Sequence, residues 1–329
     1  MRFGILGCQH AHIEMFVQEM LQLGHTFIGI WEEDPVLAAP MAQKYQVPLF
    51  EEKAQLFEGE PEVVGTSAIN DAKIDLIEEC SNRGIHVMAD KPIVTSRADF
   101  LRLERIMDQG QIEVGLMLTE RFNPPIYTLW RRIQEGDLGK LVSLTITKPH
   151  KLQKAKRPRW HFSKEQNGGI LIDLLIHDFD LLRWFTGSEL EYCSGYLKKT
   201  AHPEFPDFYD SVHLLVRMRN KVVASLEADW WMPDSHWTWG DGRIFCVGTE
   251  GRAEIRTTGD FLVDRQPFGT LVTKDGKTER LPLQAPDRTL TEDFIKRITG
   301  EGESILTGED ILEATRASIL ADEVVEIIR

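Results

Sequence analysis

Long apolar runs, paired cysteines and an excess of basic residues are all missing from this sequence. No run approaches the roughly 18 apolar residues of a membrane-spanning helix, so we expect no membrane association. The first residues, MRFGILG, enter a strand-like run without the separate basic and apolar regions of a signal peptide. The four cysteines include no C-x-x-C pair, which argues against a disulfide framework or a cysteine zinc site and favours the reducing cytoplasm.

Basic residues are outnumbered, with 38 Lys and Arg against 52 Asp and Glu and a formal net charge of −14. Nucleic-acid-binding proteins usually carry a basic surface, so no nucleic-acid partner is expected. What the chain does have is the composition of a globular protein, with 42% hydrophobic and 27% charged residues. Its 329 residues are enough for two domains.

Residues 1–120 alternate short apolar runs with amphipathic helical patterns, which is typical of βαβ units. Strands are predicted at 2–6, 26–31, 62–67, 86–90 and 112–118, and helices at 71–83 and 97–109. Because parallel strands require right-handed crossovers, we predict an N-terminal Rossmann domain, which is a doubly wound parallel sheet with helices on both faces.

Residues 121–329 follow a different pattern within the same α/β class. Alternating runs at 141–148, 211–218 and 221–231, separated by turns, predict a large, mostly antiparallel open sheet. A helix after Gly168 and Gly169 and a last helix over 308–328 make this second part an α+β domain.

The turn after the first strand lacks two of the three glycines of a dinucleotide-binding loop. In the pattern G-x-G-x-x-G the glycines allow the tight turn, the approach of the pyrophosphate and the packing of helix on strand. Gly7 keeps the first position, but Gln9 and His12 occupy the other two. The N-terminus of the following helix still attracts an anion, so the loop alone leaves cofactor binding open.

Glu32 lies at the end of the second strand, 20 residues after His12. An acidic residue there can accept hydrogen bonds from the adenosine ribose diol. Glu33 and Asp34 follow without an adjacent arginine, so a 2′-phosphate would be repelled and NAD is favoured over NADP. The alternative is a solvated acidic turn that caps the next helix.

Five segments in a fixed order carry a resemblance. They are Asp90-Lys91-Pro92 at a strand end, LTERFNPP (118–125), EGDLGKL (135–141), NGGILIDLLIHDFDLLRWFTG (167–187) and VGTEGRAEI (247–255). Together they resemble the Gfo/Idh/MocA family of sugar and polyol oxidoreductases over most of the chain. The resemblance implies a Rossmann domain, an open-sheet domain, a bound nicotinamide cofactor and hydride transfer at a sugar-like carbinol or carbonyl.

Carried over by position, the resemblance makes Lys91 the catalytic lysine and makes Asp173 and His177 the acid/base pair. It implies cofactor contacts from Gly7, Cys8, Gln9, His10, Glu32, Ser67, Ala68, Asn70, Asp90 and Lys91, and substrate contacts from Lys91, Asp173 and His177. Besides the broken glycine pattern, Asp90 is one methylene shorter than the family's glutamate, and Ile69 replaces a common proline.

The chemistry of these residues is consistent with that role. Asp173 and His177 are four residues apart on a predicted helix, so the carboxylate can orient the imidazole for general acid–base catalysis. Lys91, at the carboxyl end of a parallel strand, would point into the crevice where such sheets bind ligands and could donate to a substrate oxygen.

A metal site is the alternative for these side chains. Asp173, His177 and Asp180 could bind a metal, with or without His10 and His12. Hydride transfer assisted by a lysine needs no metal, so none is predicted. His10 and His12 either line the cofactor or merely cap and pack the start of the first helix.

The run KPHKLQKAKRPRW (148–160) is basic in an otherwise acidic chain. Arg157 and Trp160 are predicted to bind the substrate, which would then be an acidic sugar, such as a uronate or a sugar phosphate. The alternative is a solvated loop that balances local acidity. Four tryptophans at 230–239 predict a homodimer or homotetramer formed through the second sheet.

The sequence therefore predicts a cytoplasmic, NAD-dependent oxidoreductase acting on a small sugar, polyol or related hydroxy compound. One alternative is a glycosidase or epimerase of the same fold that retains NAD and uses transient oxidation. The other is a ligand-sensing homologue without catalysis.

Overall fold

Five parallel strands form the first sheet of the computed structural model, which describes residues 1–328. The strands are β1 (Arg2–Cys8), β2 (Thr26–Trp31), β3 (Val63–Ser67), β4 (His86–Ala89) and β5 (Val114–Leu116), in the order β2-β1-β3-β4-β5. They are connected by α1 (Ile13–Gln22), α2 (Pro35–Tyr45), α3 (Lys53–Glu58), α4 (Lys73–Ser81) and α5 (Arg97–Gln109). All four neighbouring pairs are parallel, which confirms the predicted Rossmann sheet.

Helix α5 shows how local sequence sets these elements. The Ser96 hydroxyl accepts a hydrogen bond from the backbone N–H of Asp99 at 3.2 Å and caps the helix start. Gly110 ends the helix in the left-handed region, with φ of +63°. Phe100 and Leu103 are buried on one stripe between these two caps.

A nine-stranded sheet dominates the rest of the chain. After β5, the helices and strands of the chain begin with α6 (Pro124–Gln134), β6 (Leu141–Pro149), α7 (Lys164–Asn167), α8 (Gly169–Leu174), α9 (Ile176–Thr186), β7 (Leu190–Lys198), β8 (Ser211–Met218) and β9 (Val223–Asp229). They continue with β10 (Arg243–Gly248), β11 (Gly251–Arg256), β12 (Phe268–Thr273), β13 (Thr278–Arg280), α10 (Leu290–Thr299), α11 (Gly308–Val324) and β14 (Glu326–Ile328). The prediction of a last helix over 308–328 is wrong at its end, because α11 stops at Val324 and Glu326–Ile328 pairs with β7 as a strand. Most neighbouring strands are antiparallel, which confirms the predicted sheet; β6–β9 and β7–β14 are parallel pairs.

One face of the nine-stranded sheet is buried and the other is open. On β8, Val212, Leu214 and Val216 point into the core, whereas Leu215 between them is 63% exposed. This alternation follows from the two-residue repeat of a strand with one covered face.

The chain divides into two compact units that are not continuous in sequence. The first consists of Met1–Leu118, Glu165–Gly168 and Arg288–Thr315; the second consists of Thr119–Lys164, Gly169–Asp287 and Arg316–Arg329. Helix α10 belongs to the first unit, where the backbone N–H of Thr291 donates to the Glu19 carboxylate of α1 at 3.2 Å. Within residues 1–328, no helix is long and apolar enough to cross a membrane.

Candidate active site

The turn between β1 and α1 is held against the end of β3. Gly7 has a φ of +82°, and a Cβ on this residue would lie 2.7 Å from the Cβ of Ala68, so only glycine fits. The backbone N–H of Gln9 donates to the Ser67 carbonyl at 2.9 Å. The Ser67 hydroxyl donates to the carbonyl of His10 at 3.0 Å. These contacts fix the turn although two of the expected glycines are absent.

Glu32 is buried at the end of β2, with 5% of its surface exposed. Its Oε2 accepts from the backbone N–H of Cys8 at 2.6 Å, and its Oε1 accepts from the Gln9 side-chain amide at 2.6 Å. Glu33 and Asp34 are exposed, so only they match the solvated acidic turn. Burial and the charge of Glu32 raise the pKa of the Cys8 thiol to about 12, which keeps it protonated.

A buried lysine that the sequence analysis missed organises the segment after β4. The ammonium group of Lys73 donates to the carbonyls of Asp90 at 2.8 Å and Pro92 at 3.0 Å, and to the Asn70 side-chain oxygen at 2.8 Å. The Asn70 amide also donates to the carbonyl of Asn167 at 3.0 Å. Lys73 follows a short polar turn in sequence, and no local pattern distinguishes it from a solvated helix residue.

Asp90 joins the two histidines of the first turn, which lie about 80 residues earlier in the sequence. Its Oδ2 is 3.3 Å from Nδ1 of His10, and its Oδ1 is 3.2 Å from Nδ1 of His12. The backbone N–H of Lys91 donates to Asp90 Oδ1 at 2.8 Å. Burial alone would raise the pKa of Asp90, but hydrogen bonds with both imidazoles and the charge of Lys73 hold it well below its ordinary value.

The pKa of His10 is lowered, although a neighbouring carboxylate usually raises the pKa of a histidine. Burial lowers the pKa of His10 and outweighs the hydrogen bond with Asp90. The imidazole is therefore more readily neutral than that of a histidine in water. Lys91 lies two residues beyond the last residue of β4, near the carboxyl end of the strand, as predicted from sequence.

Asp173 and His177 lie on two helices rather than on one. The predicted helix over this region is divided at Leu175, where the backbone forms a turn with φ −77° and ψ −4°. Asp173 is buried in α8, and His177 is half-buried in the first turn of α9. The backbone N–H of Leu175 donates to the Leu171 carbonyl at 3.0 Å, and the N–H of Phe179 donates to the Leu175 carbonyl at 3.0 Å, so helical hydrogen bonds reach Leu175 from both sides.

Lys148 bridges two carboxylates beside this region of the second unit. Its ammonium group lies 2.7 Å from Glu120 and 3.0 Å from Asp178, which directly follows His177 in sequence. Burial and the charge of Glu120 raise the pKa of Asp178 to about 7, against the opposing effect of Lys148. In sequence, Lys148 is one member of a basic run, whereas in the structure its side chain is buried.

Arg157 lies against two of the four tryptophans at 230–239, of which Trp230 is buried and Trp239 is exposed. Its guanidinium carbon lies 5.5 Å from the ring centre of Trp230 and 5.1 Å from that of Trp239. Its Nε donates to the Leu152 carbonyl at 3.1 Å. Burial lowers the pKa of Arg157, while the charge of Asp173 opposes this shift. Arg157 and Asp173 are therefore close enough for their charges to interact.

The remaining members of the basic run are divided by exposure. Lys151 is buried and donates to the His236 carbonyl, whereas Arg159 and Lys156 are exposed. Trp160 is half-buried, with its ring centre 6.2 Å from that of His161. A solvated loop therefore describes only part of this segment.

Two family models match the chain. Residues 1–115 match an oxidoreductase family with an NAD-binding Rossmann fold, and residues 126–254 match the GFO/IDH/MocA C-terminal domain. A myo-inositol dehydrogenase of Streptomyces leeuwenhoekii is 23% identical over 79% of this chain and 78% of its own length. The scyllo-inositol 2-dehydrogenase (NAD(+)) of Bacillus subtilis is 29% identical, over 56% of this chain and 52% of its own length.

Solved structures agree with these matches. An Erwinia carotovora atroseptica protein described as an oxidoreductase covers both chains completely, with a TM-score of 0.91 and 25% identity. The UDP-N-acetylglucosamine 3-dehydrogenase of Acidithiobacillus ferrooxidans shares the fold, with a TM-score of 0.79 at 17% identity over 99% of this chain and 98% of its own. With both of its domains matched in order, this chain is a member of the GFO/IDH/MocA family of oxidoreductases.

Proposed function

We propose that this protein is a cytoplasmic, NAD-dependent oxidoreductase that transfers a hydride between the nicotinamide and a sugar, polyol or related hydroxy compound. The choice of NAD rests on the buried carboxylate of Glu32. This residue follows β2 and accepts hydrogen bonds from Cys8 and Gln9 of the β1–α1 turn. This position suits an acceptor for the ribose diol, and it disfavours a second phosphate by charge repulsion. The inositol dehydrogenases among the relatives support a polyol-like substrate.

The residues of the chain supply position and proton movement. When bound, the nicotinamide supplies or accepts the hydride. We assign to Lys91 a hydrogen bond to the reacting substrate oxygen, which stabilises developing negative charge there. His177 exchanges the hydroxyl proton as general base or acid, and Asp173 orients its imidazole.

The fit of the cofactor depends on the β1–α1 turn. Gly7 supplies the positive φ of the turn, and the side chain of His12 makes no capping hydrogen bond at the start of α1; the positive end of the helix macrodipole there favours an anion. The side-chain amide of Gln9 donates a hydrogen bond to one oxygen of Glu32. On cofactor binding, this amide would leave Glu32 and hydrogen-bond to the ribose instead. We keep Cys8, His10, Ser67, Ala68, Asn70 and Asp90 as proposed cofactor-side residues; of these, Ser67 acts by shaping the turn through the His10 carbonyl, and Asn70 acts by holding Lys73.

Titration with NADH and with NADPH tests the proposal. We expect saturable NADH binding, followed by energy transfer from the tryptophans, and much weaker NADPH binding. The substitution Glu32→Gln should weaken NADH binding roughly 10- to 100-fold, because hydrogen bonds to a charged acceptor contribute about 1.5–3 kcal/mol. Glu33→Gln, at the exposed neighbouring carboxylate, is the matched control and should change little.

Two results would count against this assignment. Tighter binding of NADPH would refute the role of Glu32. Absence of binding to either nucleotide, in folded protein freed of any carried-over cofactor, would favour the ligand-sensing alternative.

We further infer that Arg157 and Trp160 contact the substrate and that a carboxylate or phosphate on the sugar is recognised by Arg157. The guanidinium is fixed by two tryptophan rings and by Leu152 and shares the electrostatic neighbourhood of Asp173. A planar cation held in this way is suited to an anionic group, because its donors are already oriented.

Kinetics with a uronate and its parent neutral sugar test this inference. Arg157→Gln should raise KM for the acidic substrate roughly 30-fold, which corresponds to about 2 kcal/mol, with little change in kcat. The neutral sugar should be nearly insensitive. Arg159→Gln, in the same segment but exposed, is the control; equal effects of the two variants would show that the loop acts only by general charge.

The open face of the nine-stranded sheet supports a proposed homodimer or homotetramer. Leu215, Tyr196 and Val223 are exposed on or beside this face. A monomer mass by light scattering at micromolar concentration would contradict it.

A further inference from the structure

The β1–α1 turn contains a cluster of metal-binding side chains that the proposed redox chemistry does not require. His10 and His12 form an H-x-H pair whose ring centres are 3.9 Å apart. Asp90, which follows β4, places one carboxylate oxygen near each imidazole. One potential ligand atom from each of the three residues lies within 4.8 Å of the other two.

The spacing of these atoms matches that of a small metal centre. Zinc bonds to nitrogen and oxygen ligands at about 2.0–2.1 Å in tetrahedral sites, which places neighbouring ligand atoms about 3.3 Å apart. The two imidazole–carboxylate distances are of this size, 3.3 Å from His10 Nδ1 to Oδ2 and 3.2 Å from His12 Nδ1 to Oδ1, and each involves a different oxygen of Asp90. An ion could therefore replace the two contacts without moving the side chains far apart.

The cluster is also anchored on its inner side and accessible on its outer side. Asp90 is 2% exposed; its Oδ1 accepts from the backbone N–H of Lys91, and its carbonyl accepts from Lys73. The carbonyl of His10 accepts from the Ser67 hydroxyl. The imidazoles of His10 and His12 are 31% and 52% exposed, so an ion has a path from solvent.

The donor set favours a particular class of ion. Two imidazoles and one carboxylate suit divalent first-row transition metals such as Zn²⁺, whereas Mg²⁺ and Ca²⁺ prefer oxygen ligands alone. Three protein ligands leave at least one coordination position for water or another oxygen ligand.

We propose that His10, His12 and Asp90 bind one divalent transition-metal ion, for which Zn²⁺ is the probe. This differs from the expectation from sequence that the chain has no metal site. That expectation considered Asp173, His177 and Asp180 as the main ligands, and nothing in the sequence placed Asp90 beside the two histidines. The proposal concerns the nucleotide-free chain, because His10 and Asp90 are also among the proposed cofactor-side residues; it does not depend on the choice between NAD and NADP or on the substrate.

Metal binding by the full chain, stripped with a chelator and free of nucleotide, tests the proposal. We expect one equivalent of Zn²⁺ by calorimetry, and visible absorption bands of a low-coordinate site when Co²⁺ is added instead. His10→Ala, His12→Ala and Asp90→Asn should each weaken Zn²⁺ binding by at least about tenfold, which is the smallest loss expected even for an outer-shell partner.

The control is His202→Ala. His202 lies 3.8 Å from Glu204, and among residues 1–328 no third metal-binding side chain joins this pair, so its loss should leave Zn²⁺ binding unchanged. Circular dichroism and a thermal melt establish that each variant is folded. No binding by the wild-type chain, or unchanged affinity in any of the three folded ligand variants, would overturn the proposal.

Discussion

Lys91→Met should lower kcat by about 10²- to 10⁴-fold, the usual contribution of a positioned proton-transfer or charge-stabilising group. Methionine keeps the length of the side chain but cannot donate a hydrogen bond to the substrate oxygen. Steady-state assays of NAD reduction with an identified substrate provide the measurement. NADH binding, measured separately, should change little, because the loss falls on the chemical step.

His177→Asn extends the same test to the second unit. Asparagine retains a polar side chain but cannot exchange a proton near neutral pH, so kcat should fall by a similar factor and the pH dependence of kcat should flatten. Lys156→Met, at an exposed lysine of the basic run, is the control for Lys91→Met. Near-wild-type turnover in either active-site variant would remove that residue from the mechanism.

Arg121→Met should destabilise the second unit by about 3–5 kcal/mol, because it leaves a buried carboxylate without its partner. Arg121 and Asp180 are each 1% exposed and are joined by two hydrogen bonds, Nε to Oδ2 at 2.9 Å and Nη2 to Oδ1 at 2.6 Å. Urea unfolding followed by tryptophan fluorescence provides the measurement, since Trp184 lies 5.2 Å from the guanidinium carbon.

The double variant separates pair breaking from loss of packing. Arg121→Met combined with Asp180→Leu removes both charges and should recover most of the lost free energy of unfolding. The exposed pair Arg131–Glu135 on α6, at 2.7 Å, supplies the control; Arg131→Met should change stability by no more than about 1 kcal/mol. A single variant at Arg121 as stable as this control would show that the buried pair contributes little.

Local signals predicted the elements whose caps or side-chain periodicity lie within their own segment. Helix α5 was expected over 97–109 and is observed over Arg97–Gln109, because Ser96 and Gly110 cap it within its own segment. Strand β8 was expected over 211–218 and is observed there, because its alternating side chains distinguish a covered face from an open one.

The same signals were less reliable where distant contacts decide the backbone. The segment after Gly168 and Gly169 was predicted as one helix that carries Asp173 and His177, but the structure turns at Leu175 between α8 and α9. An apolar run has the same periodicity on both sides of such a break, so the sequence contains no mark of it.

Sequence alone determined the family, the two sheets and the identity of the residues proposed to act in catalysis, since these depend on short-range periodicity and on motif order. Only the tertiary structure decided that Glu32 is bonded to the first turn, that Asp90 lies between His10 and His12, and that α10 joins the first unit. Each of these contacts joins segments more than 20 residues apart, where the balance of burial and hydrogen bonding has no signature in any local pattern.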